Sequence, residues 1–256
     1  MLRGIGTLRW LARACRFPFG GFVLGYRVKV TGFVYARSDS VRFPGKCFAR
    51  ICGVPLLELV LRRSELSGLD AVCVLTSDLQ KDDALSDFSE SLGFTVFRGH
   101  PTDLVQRTLG ALEALPSDYF LRINGDSPWF CSELARFARF QIPQAEFVTN
   151  LVNRSFPYGV AVELVSTSVY QTLAPTAFDD EREHVTLHLY RQLDRIVVAN
   201  IVQVRDDSAL RLTVDYPADA STQADLFSHC RSLTSDYWEA VRLPPPQFFL
   251  RTSFRA

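Results

Sequence analysis

From residue 28 to residue 124, the sequence alternates short, apolar, β-branched runs with longer segments of helical periodicity. The apolar runs predict strands at 28–34, 71–75, 95–97 and 119–123, and the periodic segments predict helices at 55–67, 82–92 and 104–114. Strands separated by helices of this length form right-handed crossover units and a mostly parallel sheet. The chain is therefore restricted to an α/β fold whose central sheet is covered by helices.

The pattern after residue 146 is less regular. It predicts strands at 146–150, 160–165, 197–204 and 210–214, and helices at 186–193 and 218–230. The last segment, which contains three consecutive prolines at 244–246, is interpreted as a tail. A length of 256 residues and a hydrophobic content of 47% suit one large α/β domain, which we assign to residues 28–256.

Residues 1–27 have a composition of their own. They contain five arginines and no acidic residue, interleaved with leucine, tryptophan and phenylalanine. A membrane-surface amphipathic segment and a signal peptide are two interpretations, although the arginines interrupt the apolar run that a signal peptide needs. We favour a third, a poorly ordered basic extension.

Charge and cysteine usage exclude several classes of protein. The 28 basic and 28 acidic residues cancel, whereas nucleic-acid-binding proteins usually carry a basic excess. No apolar stretch is long enough to span a bilayer. The six cysteines form no Cys-x-x-Cys pair, which argues against a zinc site and favours a reducing compartment. We therefore expect a cytoplasmic protein with no nucleic-acid partner and no integral membrane span.

Residues 36–46 lie between the first predicted strand and the first predicted helix. In an open α/β sheet this loop follows the carboxyl end of the strand, where ligands bind. The loop carries Arg37, Arg42 and Lys46 together with the hydroxyls of Ser38 and Ser40. Arginine binds phosphate oxygens in a fork and lysine acts as a point charge, so the loop suits a triphosphate. The alternative is a solvated basic turn. The Gly-Lys-Ser/Thr ending of a P-loop is missing.

Two aspartates also follow predicted strands directly. Asp126 ends the strand at 119–123, and Asp215 ends the strand at 210–214. Two carboxylates at strand ends can hold one Mg²⁺, which prefers one or two carboxylates together with substrate phosphate oxygens. The alternative is that each aspartate caps the next turn, because a proline follows two residues later in both cases.

These motifs resemble those of the sugar cytidylyltransferases, the acylneuraminate and 3-deoxy-manno-octulosonate cytidylyltransferase-like enzymes that activate acidic sugars. The loop matches the family's A-R-x-G-S-x-R-x-P-G-K motif at Ala36, Arg37, Ser40, Arg42, Pro44, Gly45 and Lys46. The Gly-Asp-x-Pro and late Asp-x-Pro motifs are matched by Gly125, Asp126, Pro128, Asp215 and Pro217. The likeness runs from about residue 30 to about residue 233.

Two later segments extend the resemblance, and the second of them points to the spore-coat polysaccharide biosynthesis protein F branch. Residues 157–163 resemble the P-D-G-x-D-x-E segment that lies over the acceptor sugar, and residues 181–186 read E-R-E-H-V-T, which is typical of that branch. Three positions depart from the family pattern. Asp39 stands where the family has glycine, and Tyr158 and Ala161 stand where it has aspartates. These departures fall near the predicted ligands.

The resemblance implies a GT-A-like, three-layer nucleotide-diphospho-sugar transferase fold with a mostly parallel central sheet. It also implies transfer of CMP from CTP to an acidic sugar, with Mg²⁺ as cofactor, for surface polysaccharide or glycan biosynthesis. Members of the family often dimerise, so a homodimer is one expectation. The alternatives are a glycosyltransferase-type enzyme on the same fold, although the Asp-x-Asp motif it favours is missing near Asp126, and a non-catalytic nucleotide-binding paralogue.

The expected site residues follow from the matches and from the ends of the predicted strands. Arg37, Arg42 and Lys46 are expected to be catalytic, and Asp126 and Asp215 to hold the metal. The nucleotide is expected to contact Ala36, Arg37, Ser40, Arg42, Lys46, Ser77, Asp78 and Asn124. The sugar is expected to contact Asn150, Gly159, Glu163, Arg182 and His184. For Arg182 and His184 the alternative is a charged helix start.

Overall fold

A computed structural model describes residues 22–23 and 26–253 of the chain. Its centre is an eight-stranded sheet of β1 (Val30–Tyr35), β2 (Ala71–Ser77), β3 (Thr95–Gly99), β4 (Tyr119–Asn124), β5 (Phe147–Thr149), β6 (Glu163–Ser166), β7 (Val198–Gln203) and β8 (Phe248–Ser253). The α-helices are α1 (Leu56–Glu65), α2 (Asp83–Ser91), α3 (Leu104–Ala114), α4 (Ser132–Arg139), α5 (Thr167–Leu173), α6 (Leu187–Tyr190), α7 (Pro217–Ser228) and α8 (Tyr237–Ala240).

The strands lie in the order β8-β7-β5-β6-β4-β1-β2-β3. Within this sheet β6 and β8 run antiparallel to their neighbours, and the remaining pairs are parallel. Strand β1 lies next to both β2 and β4, so the loops that follow β1 and β4 leave the same edge of the sheet. The predicted mostly parallel sheet is confirmed.

Both faces of the sheet are covered, which explains why its strands are apolar at successive positions. Adjacent residues of β1 show this, since Val34 belongs to one core cluster and Phe33 to the other. The cluster of Val34 includes buried residues of α1, α4 and α7, and the cluster of Phe33 includes buried residues of α3, α5 and α6. The result is the predicted arrangement of three layers.

Four predicted elements differ in the structure. The strand predicted at 160–165 begins only at Glu163, because Gly159 turns the chain with a φ of 104°. The segment 210–214 joins no strand of the sheet and makes a single bridge, between Arg211 and Tyr158. The interpretation of the last segment as a tail is wrong, since β8 covers the outer edge of β7 as an antiparallel strand. Of the helix predicted at 186–193, only Leu187–Tyr190 is α-helical.

The predicted extension 1–27 lies outside the described residues, apart from a short antiparallel pair formed by residues 22–23 and 26–27. Across the described part of the chain, no helix is both long enough and apolar enough to cross a membrane. The cysteines that the structure describes are all free thiols.

Candidate active site

A close approach of two main-chain segments creates the site at the carboxyl ends of β1 and β4. The Gly125 N–H donates to the Tyr35 carbonyl over 2.9 Å. A Cβ atom at position 125 would lie 2.9 Å from both the Cβ of Ala36 and the Tyr35 oxygen, so only glycine fits here. The loop that follows β1 therefore lies directly against the turn that carries Asp126.

A third segment is attached to the same place. The Val214 N–H donates to the Asp126 carbonyl over 3.0 Å, which brings Asp215 beside Asp126 although 88 residues separate them in the sequence. Asp215 also begins the turn into α7, where the Asp219 side chain accepts the N–H groups of Asp215 and Tyr216, each at 2.8 Å. The main chain around Asp215 is thus held on both sides, by the Asp126 carbonyl and by the Asp219 carboxylate.

The carboxylates of Asp126 and Asp215 converge on one cationic atom. The Nζ atom of Lys46 lies 2.7 Å from Oδ2 of Asp126 and 3.6 Å from Oδ1 of Asp215, and it donates to the Val214 carbonyl at 3.1 Å. Nη2 of Arg42 lies 3.0 Å from Oδ1 of Asp215. The structure therefore brings together four of the residues predicted from separate motifs.

Asp215 is the more tightly held of the two carboxylates. Its side chain is 8% exposed, against 28% for Asp126. Arg211 forms an ion pair with its Oδ2 atom, and the Thr213 hydroxyl donates to the same atom at 3.2 Å. Asp126 has a weaker partner, the Ser127 hydroxyl at 3.3 Å. One carboxylate is thus fixed by several groups, while the other is more accessible to a ligand.

The two carboxylates suit Mg²⁺ better than a metal ion that takes all of its ligands from protein side chains. Within residues 22–23 and 26–253, no group of three or more histidine, cysteine and acidic side chains could hold a metal ion. Asp126 and Asp215 supply two carboxylates around a point already occupied by positive charge. Mg²⁺ characteristically takes one or two carboxylates and completes its shell with phosphate oxygens and water.

The buried carboxylate of Asp82 anchors the loop 36–46. Asp82 accepts the N–H of Ser38 at 2.8 Å, and the hydroxyls of Ser38 and Ser77 both donate to its side chain. Burial alone would raise the pKa of Asp82, but these hydrogen bonds outweigh it and hold that pKa below its usual value. Ser77 is itself buried, so the structure gives the hydroxyl predicted to contact the nucleotide an anchoring role. Asp78 follows it, with its N–H bonded to the Gly99 carbonyl.

The departure at Asp39 does not leave an uncompensated negative charge in this loop. The Asp39 carboxylate lies 3.1 Å from Nε of Arg37 and 2.6 Å from Nζ of Lys81. Arg37 is therefore ion-paired with Asp39 in the structure, whereas Arg42 and Lys46 face the aspartates. Ala36 and Ser40 lie half-buried in the same loop.

A cavity of about 630 Å³ opens beside the cluster of Lys46, Asp126 and Asp215. Its lining includes five residues that the sequence singled out as ligands: Arg42, Asn124, Asp126, Gly159 and Asp215. It also includes Pro157, Tyr158 and Ala161, from the segment that the resemblance places over the acceptor sugar. The lining residues that were not expected are Arg122, Leu151, Arg154, Ser208 and Thr213. The cavity thus extends from the loop 36–46, named the phosphate loop after its predicted ligand, to the segment 157–163.

Comparisons with known proteins identify the family of this chain. The family model described as cytidylyltransferase matches residues 31–239. The chain belongs to the cytidylyltransferase family. The resemblance inferred from the motifs is therefore confirmed, and the matched segment includes the whole cavity.

Individual relatives support the same assignment. The chain is 28% identical over 196 residues to the spore coat polysaccharide biosynthesis protein SpsF of Bacillus subtilis, covering 73% of this chain and 81% of that one. It is 36% identical over 107 residues to the 8-amino-3,8-dideoxy-manno-octulosonate cytidylyltransferase of Shewanella frigidimarina, covering 40% of this chain and 42% of the relative. A solved cytidylyltransferase structure from Leptospira borgpetersenii matches with a TM-score of 0.80 and 28% identity, over 84% of this chain and 93% of that one.

The sugar half of this cytidylyltransferase site differs from the prediction at four positions, of which Asn150 and Glu163 are buried. Asn150 is fully buried, and its amide bonds the Val160 carbonyl at 2.8 Å and the Val162 N–H at 2.9 Å. Glu163 is 1% exposed, and its carboxylate forms an ion pair with Arg122 and accepts hydrogen bonds from two hydroxyl groups. Both side chains hold the wall of the cavity in place, so the structure does not support direct sugar contacts from either.

Arg182 and His184 also lie outside the cavity lining. Nε of Arg182 donates to Asp103 at 2.6 Å, and its carbonyl accepts the Leu104 N–H at 2.7 Å, so the residue ties this segment to the start of α3. His184 is exposed. Gly159 is the one predicted sugar residue that lines the cavity, and a Cβ there would lie 2.8 Å from the Thr213 side chain.

Sequence reasoning missed Arg122 and Arg154, the two cavity arginines outside the phosphate loop. Arg122 lies within an apolar strand, where it was absorbed into the strand pattern. The available signal was its spacing, since it precedes Asn124 by two residues and side chains two apart in a strand share a face. Arg154 lies in an irregular loop without any such signal.

Proposed function

We propose that this cytidylyltransferase transfers CMP from CTP to a hydroxyl group of an acidic sugar and releases pyrophosphate. The observation that carries the proposal is the convergence of Asp126 and Asp215 on Lys46, beside a cavity that reaches the segment 157–163. The relatives, which include a sugar-acid cytidylyltransferase and a polysaccharide biosynthesis protein, support an acidic sugar and a role in surface polysaccharide or glycan synthesis.

In the proposed reaction the sugar oxygen attacks the α-phosphorus of CTP in line with the leaving group. One O–P bond forms, the bond from the α-phosphorus to the bridging oxygen breaks, and pyrophosphate leaves with that electron pair. The proton of the sugar hydroxyl passes to solvent. Negative charge accumulates on phosphate oxygens, so catalysis depends on positioning and on fixed positive charge.

The residues of the loop 36–46 supply that charge. Lys46 is held at a fixed position by Asp126 and the Val214 carbonyl, which makes its ammonium group a preorganised electrostatic partner for the triphosphate. Arg42, whose side chain is 55% exposed, is free to follow a phosphate group away from Asp215. Arg37 would join them by exchanging Asp39 for phosphate oxygens.

Asp126 and Asp215 would hold Mg²⁺, which when bound polarises phosphate oxygens and lowers the pKa of a nearby hydroxyl. Without the metal, Lys46 balances the two carboxylates. Membership of the cytidylyltransferase family favours nucleotidyl transfer over the glycosyltransferase alternative. A cytoplasmic location and a homodimer remain part of the proposal.

The test is pyrophosphate release by the purified chain with Mg²⁺, each nucleoside triphosphate and a panel of acidic and neutral sugars. We expect release with CTP and an acidic sugar, and loss of that release in Asp126→Ala. Asp87→Ala, a change at an exposed position of α2, is the control. CTP binding without release from any pair would instead identify a non-catalytic nucleotide-binding paralogue.

A further inference from the structure

Arg122 lines the cavity, although the sequence predicted no role for it. It lies on β4, directly opposite Glu163 of β6 in the antiparallel register. Its side chain lines the cavity and is 22% exposed. Burying the charge of an arginine in a central strand costs free energy unless the charge is paired. We therefore expect a partner on each side of the guanidinium group.

On one side the partner is Glu163. Nη1 of Arg122 donates to Oε2 of Glu163, while the Thr186 hydroxyl and the Tyr190 hydroxyl donate to Oε1 at 2.5 Å and 3.0 Å. Tyr190 is held in turn by the Thr149 hydroxyl at 2.7 Å. Both oxygens of Glu163 are therefore engaged, and the guanidinium group has a fixed position.

On the other side, two donor atoms of the guanidinium group have no acceptor among the described residues. Nε is buried and has no hydrogen-bond partner among the described residues, and no described residue accepts from Nη2. Buried polar groups in folded proteins are almost always hydrogen-bonded, and a ligand in the cavity that Arg122 lines would supply the missing acceptor. Nε and Nη2 lie on the same edge of a guanidinium group, the edge that suits the two oxygens of a carboxylate.

The location of Arg122 points to the acceptor rather than to the nucleotide. Strand β4 lies between β1, which leads to the phosphate loop, and β6, which follows the segment 157–162. The ion pair with Glu163 draws the guanidinium toward β6. Ala161 lines the same cavity at a position where the resemblance implies an aspartate, so no carboxylate from residue 161 competes for Arg122.

We propose that Arg122 binds the carboxylate of the acceptor sugar, and that Glu163, Thr186 and Tyr190 are positioning residues for its guanidinium group. This inference rests on the proposed function, since it assigns the group that selects an acidic acceptor. It also changes the role expected for Glu163, which then acts on the sugar through Arg122.

The test compares 3-deoxy-manno-octulosonate with its C1 carboxamide as acceptors at saturating CTP. The variant is the double change Arg122→Gln with Glu163→Gln, because removing Arg122 alone would leave a buried carboxylate unpaired and could prevent folding. We expect the double variant to raise the KM for the acid by roughly 10- to 100-fold, the effect of losing a hydrogen bond to a charged group. The preference for the acid over the carboxamide should disappear, and the KM for CTP should stay unchanged.

Two further variants separate positioning from general electrostatics. Tyr190→Phe removes one hydrogen bond to Glu163, so it should raise the KM for the acid less than the double change while keeping the preference for the acid. Arg231→Gln removes a cation whose side chain is 94% exposed, and it should alter neither KM. A double variant that keeps the preference of the wild type, or that raises the KM for CTP instead, would overturn the proposal.

Failure of the proposed function would be recognised separately. If the wild-type chain releases no pyrophosphate with any acceptor, calorimetry of the same acid and carboxamide with the protein tests Arg122 without turnover. Binding that favours the acid and is lost in the double variant would support the inference. The absence of such binding, or its persistence in the double variant, would overturn it.

Discussion

At the scale of single residues, the site is a small cluster in which a few side chains of opposite charge lie close together. One ammonium group lies within 4 Å of two carboxylates, and those carboxylates come from segments far apart in the sequence. Lys46 therefore has two functions, to stabilise the two aspartates before ligands bind and to meet the triphosphate afterwards.

Replacing Lys46 separates these two functions. We expect Lys46→Met to lower kcat by roughly 10²–10³, the usual effect of losing one preorganised charge. Because the two aspartates would then repel each other, added Mg²⁺ should raise the melting temperature more in the variant than in the wild type. Pyrophosphate-release kinetics and thermal melts with and without Mg²⁺ check both points. Lys29→Met, at an exposed lysine, is the matched control and should change neither quantity.

Most of the phosphate side of the site could be predicted from the sequence. Lys46, Asp126 and Asp215 belong to short motifs that can be recognised in the sequence. The neighbouring ends of β1 and β4 bring the first two together, and the main-chain hydrogen bond from Val214 to Asp126 adds the third. Asn150 and Glu163 could not be separated from ligands in the same way. Their partners are main-chain groups and side chains distant in the sequence, and only the folded chain shows that those partners satisfy them.

At the scale of elements, the phosphate loop is held in position by the start of α2. Asp82 joins the loop to the end of β2 through Ser38 and Ser77, and its side chain is inaccessible to solvent. The strand predicted at 160–165 and the tail at the end of the chain were misjudged for a related reason. A turn at Gly159 shortens the strand. The last segment pairs with the outer edge of β7 as β8, and no local sequence pattern reveals that this edge is available.

The anchoring role of Asp82 has a measurable consequence. Asp82→Ala leaves the Ser38 N–H and two hydroxyls without their acceptor, which should lower the free energy of unfolding by about 2–3 kcal/mol. The loop would also lose its fixed position, so the KM for CTP should rise while the KM for the acceptor changes less. Denaturant unfolding and initial-rate kinetics measure the two effects. An Asp82→Ala protein with wild-type stability would contradict this role, and Asp87→Ala serves as the control for α2.

At the scale of the whole molecule, one buried histidine connects stability to pH. His188 on α6 is inaccessible to solvent, and neither ring nitrogen has a hydrogen-bond partner among the described residues. Burial lowers its pKa from 6.5 to about 4, with Glu181 opposing the shift and Arg191 and Arg182 adding to it. The ring packs against Tyr170 at 5.2 Å between centroids.

The direction of the pH effect follows from this lowered pKa. The unfolded chain takes up a proton near pH 6.5, whereas the folded chain resists it until about pH 4. This contribution to stability is therefore complete above pH 6.5 and is lost as the pH falls toward 4, by about 3 kcal/mol in total. Denaturant unfolding across that range should show the loss in the wild type, and His188→Phe should reduce it.

The contact between Tyr158 and the segment 210–212 also bears on how such an enzyme can diversify. The two segments are joined by main-chain hydrogen bonds, from the Tyr158 N–H to the Leu210 carbonyl and from the Leu212 N–H to the Tyr158 carbonyl, each at 2.8 Å. Bonds between main-chain groups do not depend on which side chains are present. The pairing of these two segments is therefore kept when the side chain at position 158 changes, although the Tyr158 ring itself lies 4.9 Å from the Arg211 guanidinium group. New acceptor preferences can evolve on this scaffold as a module, separate from the chemistry that it performs.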